Sequence, residues 1–219
     1  MKNKVILLIV STLSAFTVST LAEAANVGPY AGLGAGVGRF DSPGEDAFIV
    51  SGAGSTSSHT QGGLSGRAFV GFNYLCYLGI EAGFTRYARS RYRGAEDGTY
   101  SSISYYGRAG DLVGKLYLPF GHTGFNIYGL AGAARVSVTT HYTDNGVPLS
   151  GAIADPNDGI THTYKTRPIY GAGISYDFGN RITANVEYTQ IRHLGHFETN
   201  AYAIPNMNLA TANLAYNFG

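Results

Sequence analysis

Along much of this chain apolar side chains recur at every second residue, and the segments that do so are joined by connections that alternate between short and long. From Leu64, the residues Leu64, Ala68, Val70, Phe72 and Tyr74 share one parity, while Ser65, Arg67, Phe69, Gly71 and Asn73 share the other. A period of two is that of a β-strand with one mostly apolar and one more polar face. The design recurs with Leu78, Ile80, Ala82 and Phe84 against Gly79, Glu81, Gly83 and Thr85. Leu112, Leu116 and Leu118 then oppose Asp111, Lys115 and Tyr117, and Ile182, Ala184, Val186 and Tyr188 oppose Thr183, Asn185, Glu187 and Thr189.

Four further segments carry a softer version. Ala31, Leu33, Ala35 and Val37 face away from Gly32, Gly34, Gly36 and Gly38; Tyr128, Leu130, Ala134, Val136 and Val138 from Ala131, Arg135, Ser137 and Thr139. Tyr170, Ala172, Ile174, Tyr176 and Phe178 oppose Gly171, Gly173, Ser175 and Asp177, and Ala210, Ala212, Leu214, Tyr216 and Phe218 oppose Thr211, Asn213 and Asn217. Eight strands are expected, each near the roughly 9–11 residues that a tilted strand needs to cross hydrocarbon. With 31 glycines, 17 tyrosines and no tryptophan, the composition favours strands and turns over helices.

Three connections are short, near 74–77, 119–123 and 179–180, and four are long, about 41–63, 92–107, 143–166 and 194–206. Short turns on one side and long loops on the other are the pattern of an outer-membrane barrel with both ends on the periplasmic side. The start of the chain agrees with export. Lys2 and Lys4 precede an apolar stretch from Val5 to Val18, and Ala22-Glu23-Ala24 is a small-x-small cleavage site, so residues 1–24 read as a signal peptide and 25–219 as the barrel domain. Removing Lys2, Lys4 and Glu23 leaves a neutral chain, without the basic balance of a nucleic-acid binder. Cys76 is the single cysteine, so no intrachain disulfide framework is available, and closure of the sheet in a bilayer must supply the stability.

The fold class is therefore all-β: a transmembrane antiparallel up-and-down barrel of eight strands. A barrel of this size is just wide enough for side chains to fill it. Arg67, Glu81, Lys115, Arg135 and Glu187 are expected to point inward and pair there, because isolated buried ions are costly. Phe40, Tyr74, Phe84, Tyr87, Tyr117, Tyr142, Tyr176 and Phe218, at strand ends, suit membrane–water interfaces.

The segment from Gly171 to Tyr188, GAGISYDFGNRITANVEY, and the ending Asn213-Leu-Ala-Tyr-Asn-Phe218 resemble the small OmpA-type and opacity-type outer-membrane β-barrels, a porin-like family. The first is similar to that family's sixth strand, tight turn and seventh strand, the second to its terminal assembly signal. The resemblance covers the mature chain as a pattern, with Gly219 following the closing aromatic. It implies a structural, adhesive or host-contact role at the bacterial cell surface, and the barrel assembly machinery as a partner in biogenesis.

Enzymatic and metal chemistry find little support. The run from Gly32 to Gly38 has Val37 or Arg39 where a dinucleotide loop needs its third glycine. His193 and His196 lack zinc-site spacing, and the acidic stretches at Asp144 and Asp155–Gly159 lack calcium-loop spacing. A lipid A deacylase would need a serine two residues after His193, where Gly195 stands. Arg86, Arg89, Arg91 and Arg93 gather at the outer end of the third strand, and Arg86 and Arg89 are expected to contact lipopolysaccharide phosphates through forked donors. The chain is thus expected to be a monomeric, cofactor-free, non-enzymatic barrel, in contact with outer-membrane lipids and lipopolysaccharide. Its loops would contact an extracellular or host ligand; the alternatives are a small-solute channel and, third, a lipid A-modifying hydrolase.

Overall fold

A computed structural model describes residues 26–41, 56–60, 62–96, 99–121, 123–144, 147–148, 160–179, 181–192 and 206–219. The expected signal peptide, most of the 41–63 and 194–206 connections, His193, His196 and the side chain of Tyr142 lie outside the described residues.

The strands are β1 (Gly28–Asp41), β2 (Thr56–Thr60), β3 (Gly63–Leu75), β4 (Leu78–Arg86), β5 (Ser90–Glu96), β6 (Thr99–Pro119), β7 (Phe125–Asp144), β8 (Val147–Pro148), β9 (Ile160–Phe178), β10 (Ile182–Ile191) and β11 (Asn206–Asn217). Eight of them, β1, β3, β4, β6, β7, β9, β10 and β11, form one closed antiparallel ring. The ring is completed by the β1–β11 and β6–β7 pairings. Closure leaves no unpaired edge to face lipid, which an open sheet could not avoid.

The register keeps apolar rows outside. Leu78, Ile80 and Phe84 of β4, Leu112, Leu116 and Leu118 of β6, and Leu33 and Val37 of β1 are all exposed on the wall. At the end with short turns, ring pairs Phe72–Tyr74, Phe125–Tyr176 and Tyr216–Phe218 form an aromatic girdle, with centroids 4.9, 4.5 and 5.1 Å apart. These turns are tight: Gly179, between β9 and β10, has φ 69°, a conformation that glycine adopts without strain.

Two expectations are corrected by the fold. The 92–107 connection is not a loop, because β5 and the first part of β6 pair from Ser90↔Tyr105 to Glu96↔Thr99. β6 and β7 likewise stay paired from Pro119↔Asn126 to Ser101↔Asp144, well past the apolar band. These extensions carry polar residues in both parities of the sequence, and such a stretch shows no hydrophobic period.

The second correction concerns which face points inward. In β7 the apolar row of Tyr128, Leu130, Ala134, Val136 and Val138 is buried inside the barrel, and Arg135 is exposed outside. Phe40, Tyr87 and Tyr117, expected at the interfaces, are also interior. Phe40 and Tyr87 join Tyr105, Ile169, Ile191, Met207 and Leu209 in the apolar half of the bore away from the short turns, whereas Tyr117 packs on Tyr128 towards the short turns. Assigning the more apolar row to lipid fails where the bore is itself apolar.

Candidate functional site

The middle of the bore holds a buried ionic cluster. Arg67 on β3 reaches Asp111 on β6 with both ends of its guanidinium, at 2.8 Å each. Its Nη2 also donates to Glu81 on β4 at 3.1 Å, and its Nη1 to Thr85 at 3.2 Å. Lys115 on β6 bridges the two glutamates, 2.7 Å from Glu81 and 3.1 Å from Glu187 on β10. Arg67 Nε stands 3.9 Å from Glu187 Oε1. The cluster thus ties strands on opposite walls of the ring.

Two tyrosines complete it by the same device. Tyr30 is in register with Gly71 on the next strand, and Gly71 with Glu81 on the one after. The Tyr30 ring lies over Gly71, where a Cβ would stand 2.3 Å from Cζ, and its hydroxyl donates to Glu81 at 2.9 Å. Tyr128, Gly173 and Glu187 repeat the arrangement on β7, β9 and β10, with a hydrogen bond of 2.9 Å. Neighbouring strands are about 4.8 Å apart, so a tyrosine can reach two strands away only if the strand between presents no side chain.

The geometry brings together Arg67, Glu81, Lys115 and Glu187 from the sequence-expected set, and adds Asp111, Tyr30 and Tyr128. Asp111 shares the polar parity of Lys115, which is the signal that could have included it. The fifth expected member, Arg135, lies on the outer wall and takes no part. Charges in this cluster are held by one another and by the hydroxyl donors of Tyr30 and Tyr128. Towards the short turns a cavity of ≈ 30 Å³ remains, lined by Asn73, Asn217, Asp177 and Thr183 among others. It holds about one water molecule.

The rim away from the short turns is basic. Arg86 is exposed at the end of β4. Arg89 donates to Ser104 Oγ at 2.9 Å and lies over the Tyr106 ring, 5.2 Å from its centroid. On β5, burial together with the guanidiniums of Arg89 and Arg93 lowers the Arg91 pKa below the usual arginine range.

The chain is similar to several known proteins. The family model described as Outer membrane protein beta-barrel domain matches residues 8–218. An uncharacterized protein of Coxiella burnetii (strain RSA 493 / Nine Mile phase I) is 28% identical over 182 residues, covering 74% of this chain and 71% of its own length. The N-terminal β-barrel domain of Pseudomonas aeruginosa OprF superimposes with a TM-score of 0.51 at 14% identity, over 89% of this chain and 100% of that domain. Neisserial surface protein A gives a TM-score of 0.49 at 15% identity, over 89% of this chain and 99% of that protein. The filled, closed eight-stranded ring and the match over residues 8–218 have one reading: the chain belongs to the outer-membrane β-barrel family and resides in the bacterial outer membrane.

Proposed function

We propose that the protein is a non-enzymatic barrel that works at the cell surface, offering its extracellular strands and loops for adhesion or host contact. The observation that carries this reading is the filled bore. Phe40, Met207 and Leu209 above, and Glu81, Glu187 and Tyr128 at the centre, are each almost wholly inaccessible to solvent. A chain whose interior is occupied from wall to wall has its recognition surface outside, and β5, β6 and β7 extend that surface beyond the apolar band.

Ion conductance of the refolded full chain in a planar bilayer tests the reading, with heat-dependent gel mobility to verify folding. Silence of a folded barrel is the expected result. Stable discrete channels would overturn the filled-bore argument and favour a small-solute channel.

A further inference from the structure

On three adjacent strands the outward-facing apolar ladder ends on an arginine. The ladder of β4 runs Leu78, Ile80, Ala82, Phe84 and then Arg86; that of β6 runs Leu118, Leu116, Leu112 and then Arg108; that of β7 runs Ile127, Ala131, Ala133 and then Arg135. All three arginines are exposed on the outer wall.

The register sets them side by side. Arg86 is the direct cross-strand partner of Arg108. Arg108 pairs with Ser137 and Gly110 with Arg135, which puts Arg135 on the diagonal from Arg108. Directly opposed Cβ atoms in a sheet are about 5 Å apart, and like charges in that relation repel. Among the described residues no ion pair or hydrogen bond relieves them. The carboxylates whose side chains are described, Glu81, Asp111, Asp177 and Glu187, all point into the bore.

We propose that Arg86, Arg108 and Arg135 form a binding site for the phosphate group of a phosphorylated saccharolipid in the outer leaflet. The level is right: each arginine is the first charged position above hydrocarbon-facing side chains, where a lipid headgroup begins, on the side opposite the short periplasmic turns. The chemistry is right as well. Guanidinium groups present planar forks that match phosphate oxygens, and an anion shared among three of them removes the repulsion. Arg89, stacked on Tyr106 two positions above Arg108, keeps the field positive at the upper edge. The site depends on the rim's place at the outer leaflet and not on the filled bore, so a conducting barrel would leave it standing.

The test is native mass spectrometry of the refolded full chain titrated with diphosphorylated lipid A, dephosphorylated lipid A and inorganic phosphate. Arg86→Gln/Arg108→Gln/Arg135→Gln should weaken retention of the diphosphorylated lipid at least about tenfold. Arg181→Gln at the periplasmic end, where the arginine hydrogen-bonds Tyr216, should leave it unchanged. The dephosphorylated lipid should bind weakly to every form, and inorganic phosphate should not displace the lipid. Equal retention by the triple variant, an equal loss in Arg181→Gln, tight binding of the dephosphorylated lipid, or displacement by free phosphate would each overturn the site. Should the triple variant fail the gel-mobility test of folding, Arg108→Gln alone must still weaken binding.

Discussion

Arg67 is buried with its charge intact because every donor direction that matters is met by a carboxylate or hydroxyl, from Asp111, Glu81 and Thr85. Its removal would take from Asp111 the guanidinium that pairs it and leave Glu81 with Lys115 alone, in a water-poor interior. Breaking a buried pair from one side costs about 3–5 kcal/mol, and Arg67→Met is expected to destabilise the barrel by that order. Urea-induced unfolding in lipid vesicles, followed by gel mobility, measures it; a loss under about 1 kcal/mol would mean that water reaches the cluster. Much of this site was legible, because Arg67, Glu81, Lys115 and Glu187 stand in polar rows whose parity is clear; Asp111 stands in the same row as Lys115 but is absent from the expected set. The place of Arg135 was not legible, because its neighbours Ala134 and Val136 are apolar yet face inward. The partners of Tyr30 and Tyr128 were beyond reach, since they depend on register across three strands and not on any local pattern.

Within the strands, glycine is the element that lets large interior residues cross the sheet. At Gly173 an added Cβ would stand 2.5 Å from the Tyr128 ring and 2.7 Å from the Val186 carbonyl oxygen, so a larger residue must expel the tyrosine or bend β9. Gly173→Val is therefore expected to destabilise by about 1–3 kcal/mol through overpacking. The same urea titration detects it. In a Tyr128→Ala background Gly173→Val should cost less than it does alone, because the clash with the ring is then gone and only that with the Val186 carbonyl oxygen remains. An undiminished loss in the double variant would place the cost in the backbone instead. Strand existence was readable wherever one face meets lipid and the other meets the bore. The extramembrane parts of β5 and β6 escaped because polar residues such as Arg93, Ser101 and Ser102 stand in both parities of the sequence, and no period of two then shows.

At the scale of the whole molecule, closure and orientation are linked. A ring with antiparallel neighbours and eight membrane-crossing strands puts the start of β1, the end of β11 and the short turns on one side, the turns here between β3 and β4, β6 and β7, and β9 and β10. The alternation of short and long connections made this topology legible before any contact was known. Orientation then fixes what each rim meets, including the lipid assigned to Arg86, Arg108 and Arg135. Cys76 lies in the β3–β4 turn and is partly exposed, so it reports that side directly. In intact cells a membrane-impermeant maleimide should leave Cys76 unlabelled, and should label it once the outer membrane is permeabilised. Ser102, on the extension of β6 beyond the opposite rim, should behave the other way as Ser102→Cys in a Cys76→Ser background. The reverse result would turn the barrel over, and with it the arginine rim would face the periplasmic leaflet, where a phosphorylated saccharolipid is not the expected ligand.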